Sequence, residues 1–282
     1  MVSRPAIVVV ACGVAMAQPG TDTADEHPLL KSMGAAFFSI AFTAGGMAIL
    51  LGKITVGLFS GRIDRSELWK NLYKMAVKSL PIVVVTALFT GAIMVVQAAP
   101  IVKRYGAEGL LGWGAGFSTL REVAPLLCAL MISGRVGANN TAELGTMVVT
   151  EQFDALRVLA IDPIAFLIAP RFVGIVVTLF LMTLFADSLA LFGAAYTGKG
   201  LLSVEPRTFY NGLTGGLLNF SDVANGLVKS VVFGFVIGLA SCHFGISTTG
   251  GAPGVGRSVN ATVVASAAGI LLLDYLVSLV LG

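Results

Sequence analysis

Ionisable side chains stand inside, or at the mouths of, runs that are otherwise apolar: Arg121, Glu122, Arg135, Glu143, Asp187 and Asp274. A charge in hydrocarbon costs roughly 2.5–3.5 kcal/mol on insertion scales, so each needs a partner, a cavity or water. Arg121 and Glu122 are adjacent, and can neutralise each other or take the headgroup of an amphiphile. Arg135 and Glu143 lie eight residues apart, which places them on one helix face without touching. Each of those two therefore needs a partner elsewhere. Asp187 lies inside a later run, and Asp274 in the last one, between Leu273 and Tyr275. Two readings compete for every such group: a substrate path, or a structural tie between helices or subunits. Arg121, Glu122 and Asp274 are assigned to a substrate path, and Arg135, Glu143 and Asp187 to structure.

Other chemistry finds no footing. Cys12, Cys128 and Cys242 are scattered, and His27 and His243 are far apart, so neither disulfide nor metal spacing is present. Cys128 and Cys242 read as small helix-packing residues. No Ser-His-Asp, Cys-His or paired-carboxylate arrangement is placed for catalysis, so the chain reads as non-enzymatic. Residues 251–258, GAPGVGRS, imitate a phosphate-binding loop, but Arg257 replaces the lysine. Such a loop also needs a preceding strand, and here an apolar span precedes it. The chain is therefore expected to hold no cofactor. ATP and Mg, if used, belong to another chain.

The elements that position these charges are read as membrane helices. Of 282 residues, 56% are hydrophobic and 12% charged, and the mean hydropathy is +0.90. A soluble domain carries about 25% charged residues. The 34 glycines fit close approach between membrane helices. A net charge of +3, with no basic cluster interleaved with aromatics, argues against nucleic acid.

The pattern predicts an all-α polytopic protein with spans near 81–102, 121–146, 172–196, 224–246 and 259–281. Three segments are distinguished: an extension at 1–32, interfacial helices at 33–80 and the membrane domain at 81–282. The extension reads as a short cleaved signal, a disordered tail, or the product of a start placed too early. Residues 34–52 read as a helix lying in, or dipping into, the interface. In 65–80, Lys70, Lys74 and Lys78 form one stripe opposite Leu68, Leu72 and Met75, as in a helix lying on a membrane surface. Cations ahead of the first span place that end in the cytoplasm, together with 147–170 and 247–258. The loops at 103–120 and 197–223 then face outside.

Residues 120–163, LREVAPLLCALMISGRVGANNTAELGTMVVTEQFDALRVLAIDP, resemble the hallmark segment of the MlaE/YrbE permeases of Mce-type ABC lipid transport systems. The matching pieces are Arg121-Glu122 with Pro125, Gly134-Arg135 with Gly137, Ala142-Glu143, Thr150-Glu151-Gln152, Asp154-Ala155-Leu156 and Asp162-Pro163. A weaker likeness runs from Leu68 to the carboxyl terminus. Asn139-Asn140 and Val148 depart from the pattern. The resemblance implies a homodimeric permease in a bacterial inner membrane, with a separate ABC ATPase, an Mce-domain partner on the outer side and a phospholipid or related substrate. It also implies a cytoplasmic coupling helix between spans two and three, for which Glu151, Gln152, Asp154, Leu156 and Arg157 are the candidates. An ion-coupled secondary transporter using Asp187 or Asp274, and a scaffold without transport, remain the alternatives.

Overall fold

The computed structural model describes residues 28–59, 65–106, 108–215 and 218–281. Expectations about residues 1–27 lie outside the described residues. The chain forms α1 (Pro28–Phe59), α2 (Arg65–Tyr105), α3 (Leu111–Val149), α4 (Gln152–Val158), α5 (Ile164–Leu202), α6 (Pro206–Thr214), α7 (Phe220–Ile246) and α8 (Gly251–Leu281). No strand occurs among the described residues. Helices α2, α3, α5, α7 and α8 are each long and apolar enough to cross a membrane, which bears out the expected five spans of a multi-pass membrane protein. A shorter apolar stretch, Ala41–Gly57, lies within α1.

Short connections alternate the direction of the long helices. Helices α2, α5 and α8 run one way, and α3 and α7 run back. Helix α4 marks one end of the bundle and α6 the other.

The lysine-striped segment and the first span form one continuous helix. The segment supplies the first turns of α2, which continues through Pro81 and Pro100. A proline removes one backbone bond, and neighbouring helices make that tolerable inside a membrane bundle. Trp69 and Tyr73 remain exposed on it, 71% and 67%, as aromatic anchors at a membrane boundary would be. The phosphate-loop mimic at 251–258 forms the first turns of α8, after a reversal in which Gly250 holds φ 86°.

The tightest contact joins α2 to α5. A Cβ on Gly91 would stand 1.8 Å from the Ala190 carbonyl oxygen, and one on Gly193 would stand 2.3 Å from that of Leu88. Each helix thus presents a glycine to the backbone of the other. Gly91→Ala is expected to force the pair apart at a cost of about 1–3 kcal/mol, the usual range for overpacking. Gly174→Ala, whose Cβ would meet Met75 Sδ at 3.7 Å and Asn71 Cβ at 3.8 Å, both ordinary van der Waals contacts, serves as the control. Thermal unfolding in detergent checks this: an unchanged midpoint for Gly91→Ala would contradict the packing.

Cys128, Ile132, Ile175, Leu179, Phe233, Ile237 and Ile270 bring α3, α5, α7 and α8 into one core. Leu50 and Ile54 pin the later half of α1 against Ile168, Phe172 and Cys242. Cys128 and Cys242 are buried, as expected of packing residues.

Candidate functional site

Helix α3 carries most of the charged residues singled out from sequence, and it is not a plain α-helix. It relaxes into π-turns at Thr119–Val123 and Ser133–Gly137. A π-turn inserts one residue per turn and re-aims the side chains it holds. The first contains Arg121 and Glu122, the second Arg135.

Near the α6 end, Glu122 meets Lys229 of α7, which also stands 3.0 Å from the Asp274 carboxylate of α8. That second contact is an ion pair without the alignment of a hydrogen bond. Lys229 donates to Ser278 Oγ at 2.7 Å, and Ser278 donates in turn to the Asp274 carbonyl. Lys229 is 1% exposed, while the side chains of Asp274 and Glu122 are 19% and 39% exposed. One fully buried cation is therefore shared by two carboxylates that reach the surface.

Arg121 does not neutralise Glu122. It lies 3.5 Å from Asp222, donates to the Leu281 carbonyl at 3.3 Å, and covers the Phe117 ring. Asp222 also accepts from the Asn219 backbone in the capping box that starts α7. Beside this layer, α8 leaves Leu271, Leu272, Tyr275, Leu276, Leu279 and Val280 exposed. A polar cluster with an uncovered apolar flank matches both parts of an amphiphile.

Nearer the α4 end, Glu143 collects Lys74 of α2, Arg171 of α5 at 3.1 Å and Asn139 at 2.8 Å. Arg171 is almost fully buried and also donates to Asn140 at 3.3 Å. Asn140 donates to Ser241 of α7 at 3.0 Å. The two asparagines that depart from the family pattern are thus built into an inter-helix network. Below it, the Thr141 and Thr262 hydroxyls bond at 2.8 Å, tying α3 to α8.

Glu143 therefore has the partners its burial calls for. Arg135 is exposed, and among the described residues it makes no ion pair or hydrogen bond. Asp187 is 4% exposed, and neither carboxylate oxygen finds a partner among the described residues. It borders a groove of about 510 Å³ with Leu120, Leu191, Leu213, Leu218 and Phe220. Lys229 and Arg171 went unnoticed in the sequence, though both hold the charged layers together.

Helix α4 juts from the bundle end between α3 and α5. Phe153 anchors it, and Glu151, Gln152, Asp154 and Arg157 are exposed, with Leu156 partly so. Asp154 and Arg157 pair with each other at 2.9 Å. Glu151 and Ala160 bracket the helix at φ 59°. After it, Ala160 N donates to Arg157 O and Ile161 N to Leu156 O, both at 3.0 Å, the Schellman pattern with alanine where glycine is usual. Asp162 Oδ1 then accepts from Ile164 N at 3.0 Å to start α5. The segment is locked at both ends, and it leaves Val158 and Leu159 86% and 69% exposed.

Comparison with known proteins bears on the whole bundle. Residues 68–280 match the profile of the family described as Permease MlaE. A protein of Synechocystis sp. named "Probable ABC transporter permease protein" is 35% identical over 264 residues, covering 92% of this chain and 95% of its own length. A Rickettsia typhi protein of the same description is 38% identical, over 76% of this chain and 82% of its own. The Haemophilus influenzae "Intermembrane phospholipid transport system permease protein MlaE" is 27% identical, over 82% of this chain and 91% of its own.

Proposed function

Because the chain belongs to the MlaE permease family, we propose that it is the membrane-spanning subunit of an ABC transporter that moves phospholipid or a related lipid. The observation that carries this reading is the Glu122–Lys229–Asp274 cluster, half open beside the bare apolar flank of α8. The polar cluster offers a place for a headgroup, and the flank a place for acyl chains. Two copies facing each other across that flank would enclose a lipid between them, so the working unit is a homodimer. Arg121, Glu122 and Asp274 border the lipid path, and Lys229 fixes the two carboxylates.

Energy comes from a separate ABC ATPase that binds ATP and Mg. Helix α4, with Glu151, Gln152, Asp154, Leu156 and Arg157, docks on it, and the exposed Val158 and Leu159 extend that surface. The α4 end then faces the cytoplasm of a bacterial inner membrane. The α6 end faces an Mce-domain carrier that exchanges lipid with the outer membrane and so supports its lipid balance. The chain itself contributes passage and coupling, with no covalent step.

Reconstitution of the chain with its ATPase in liposomes, reading fluorescent phospholipid transfer, tests this. ATP-dependent transfer that requires both proteins is expected. Transfer that follows a proton gradient and ignores ATP would overturn the reading and direct attention to Asp187.

A further inference from the structure

A cavity of about 250 Å³ opens between α2 and α3 in the half of the bundle nearer α4, well apart from the Lys229 cluster. Lys74, Lys78, Arg135, Ser79, Asn139 and Glu143 line it. Its ionic lining is three cations against one carboxylate, an excess of two positive charges. Arg171 stands behind Glu143 and already compensates it. Lys74 is tied to Glu143, but Lys78 and Arg135 have no hydrogen bond or ion pair with any described residue. Ser79 Oγ, fully buried at the cavity wall, also lacks a partner. Two bare cations and an idle hydroxyl around one cavity are the complement of an oxyanion.

The depth of the cavity fits the same ligand. Helix α2 has 41 residues and is roughly 60 Å long, about twice a hydrocarbon core. Centred in a bilayer, it places Lys78 about 5 Å inside the boundary, and the same reckoning on α3 places Arg135 about 7 Å inside. Tyr73 and Trp69, exposed about one and a half and two and a half turns nearer the helix start, flank that boundary on its outer side. Side chains as long as Lys and Arg reach outward over such a distance to the headgroup level.

We propose that this cavity binds a phosphate oxyanion, presented by a phospholipid headgroup of the leaflet on the α4 side or as free phosphate. Lys78 and Arg135 make the charged contacts, and Ser79 and Asn139 supply neutral donors. The Lys74–Glu143–Arg171 network holds the α2 and α3 walls in place. The site does not depend on the lipid-path reading, since it lies in the other half of the bundle and needs neither ATP nor transfer.

The test is native mass spectrometry of the delipidated full-length protein in detergent, offered phosphatidylglycerol or the diacylglycerol with the same acyl chains. Phosphatidylglycerol is expected to be retained over diacylglycerol. Lys78→Gln and Arg135→Gln should each lower its retention about tenfold, and Arg135→Lys should restore most of it. Both substituted side chains lack partners, so the unfolding midpoint should not move, which separates lost binding from damaged folding. If inorganic phosphate displaces the lipid, and its own binding falls in both variants, the site takes the free oxyanion. If it does not displace the lipid, the ligand is the phospholipid headgroup. Equal retention of diacylglycerol, or adducts undiminished in both variants, would overturn the site.

Discussion

Lys229→Ala is expected to be the most damaging single substitution in the charged layers. The lysine is 1% exposed and stands between Glu122 and Asp274 with Ser278 as its hydrogen-bond acceptor. Its removal leaves two like charges facing each other at a point where three helices meet. Deleting one partner of a fully buried ion pair costs about 3–5 kcal/mol, and the cost here falls below that range because Glu122 and Asp274 reach the surface. The protein should unfold in detergent at a clearly lower temperature and accumulate poorly. Neutralising the whole cluster, Glu122→Gln with Lys229→Met and Asp274→Asn, should recover most of that stability, since a neutral cluster leaves no orphan. Transfer of lipid should nonetheless stay lost in the triple variant. Wild-type transfer by a stable triple variant would mean that the cluster only joins helices, and the lipid path would have to be sought elsewhere.

Arg121, Glu122 and Asp274 could be picked out from sequence because each interrupts an apolar run. Lys229 interrupts one too, in VANGLVKSVV, but it lies near the start of its span, where a lysine is easily taken for a flanking residue. The anions offered the missing signal: Glu122 and Asp274 needed a cation, and no other lysine or arginine was free inside the last two spans. Arg171 hid for the same reason, at the head of α5 behind Pro170. Sequence pattern therefore located the charges and the five spans, but not who pairs with whom. Pairing across spans depends on register between helices, as in Thr141 opposite Thr262, and hydropathy carries no record of register.

Pro81 shows the opposite failure. As a helix breaker in water it was the natural place to end a surface helix and begin a span. In the bundle, the helix runs through it for a total of 41 residues. The π-turns of α3 were equally invisible, although they decide where Arg121, Glu122 and Arg135 point.

The second large effect is expected at α4. Val158 and Leu159 are among the most exposed apolar side chains at that end of the molecule, on a segment whose backbone is fixed by the Schellman bonds and by Asp162. A rigid connector has little reason to hold two aliphatic side chains in water unless a partner covers them. A few side chains buried at the centre of an interface cost about 2 kcal/mol or more when removed, and a carboxylate placed at such a point adds the cost of burying a charge. Leu159→Asp should therefore cut ATP-driven lipid transfer by about a hundredfold, with weaker ATPase co-purification and an unchanged unfolding midpoint. Asp154→Ala and Arg157→Ala break only an exposed pair within the helix, worth about 0–1 kcal/mol to the fold, so any uncoupling they cause reports on the partner. Full coupling in Leu159→Asp and in both alanine variants would remove α4 as the ATPase contact, even with lipid transfer by the wild-type pair intact.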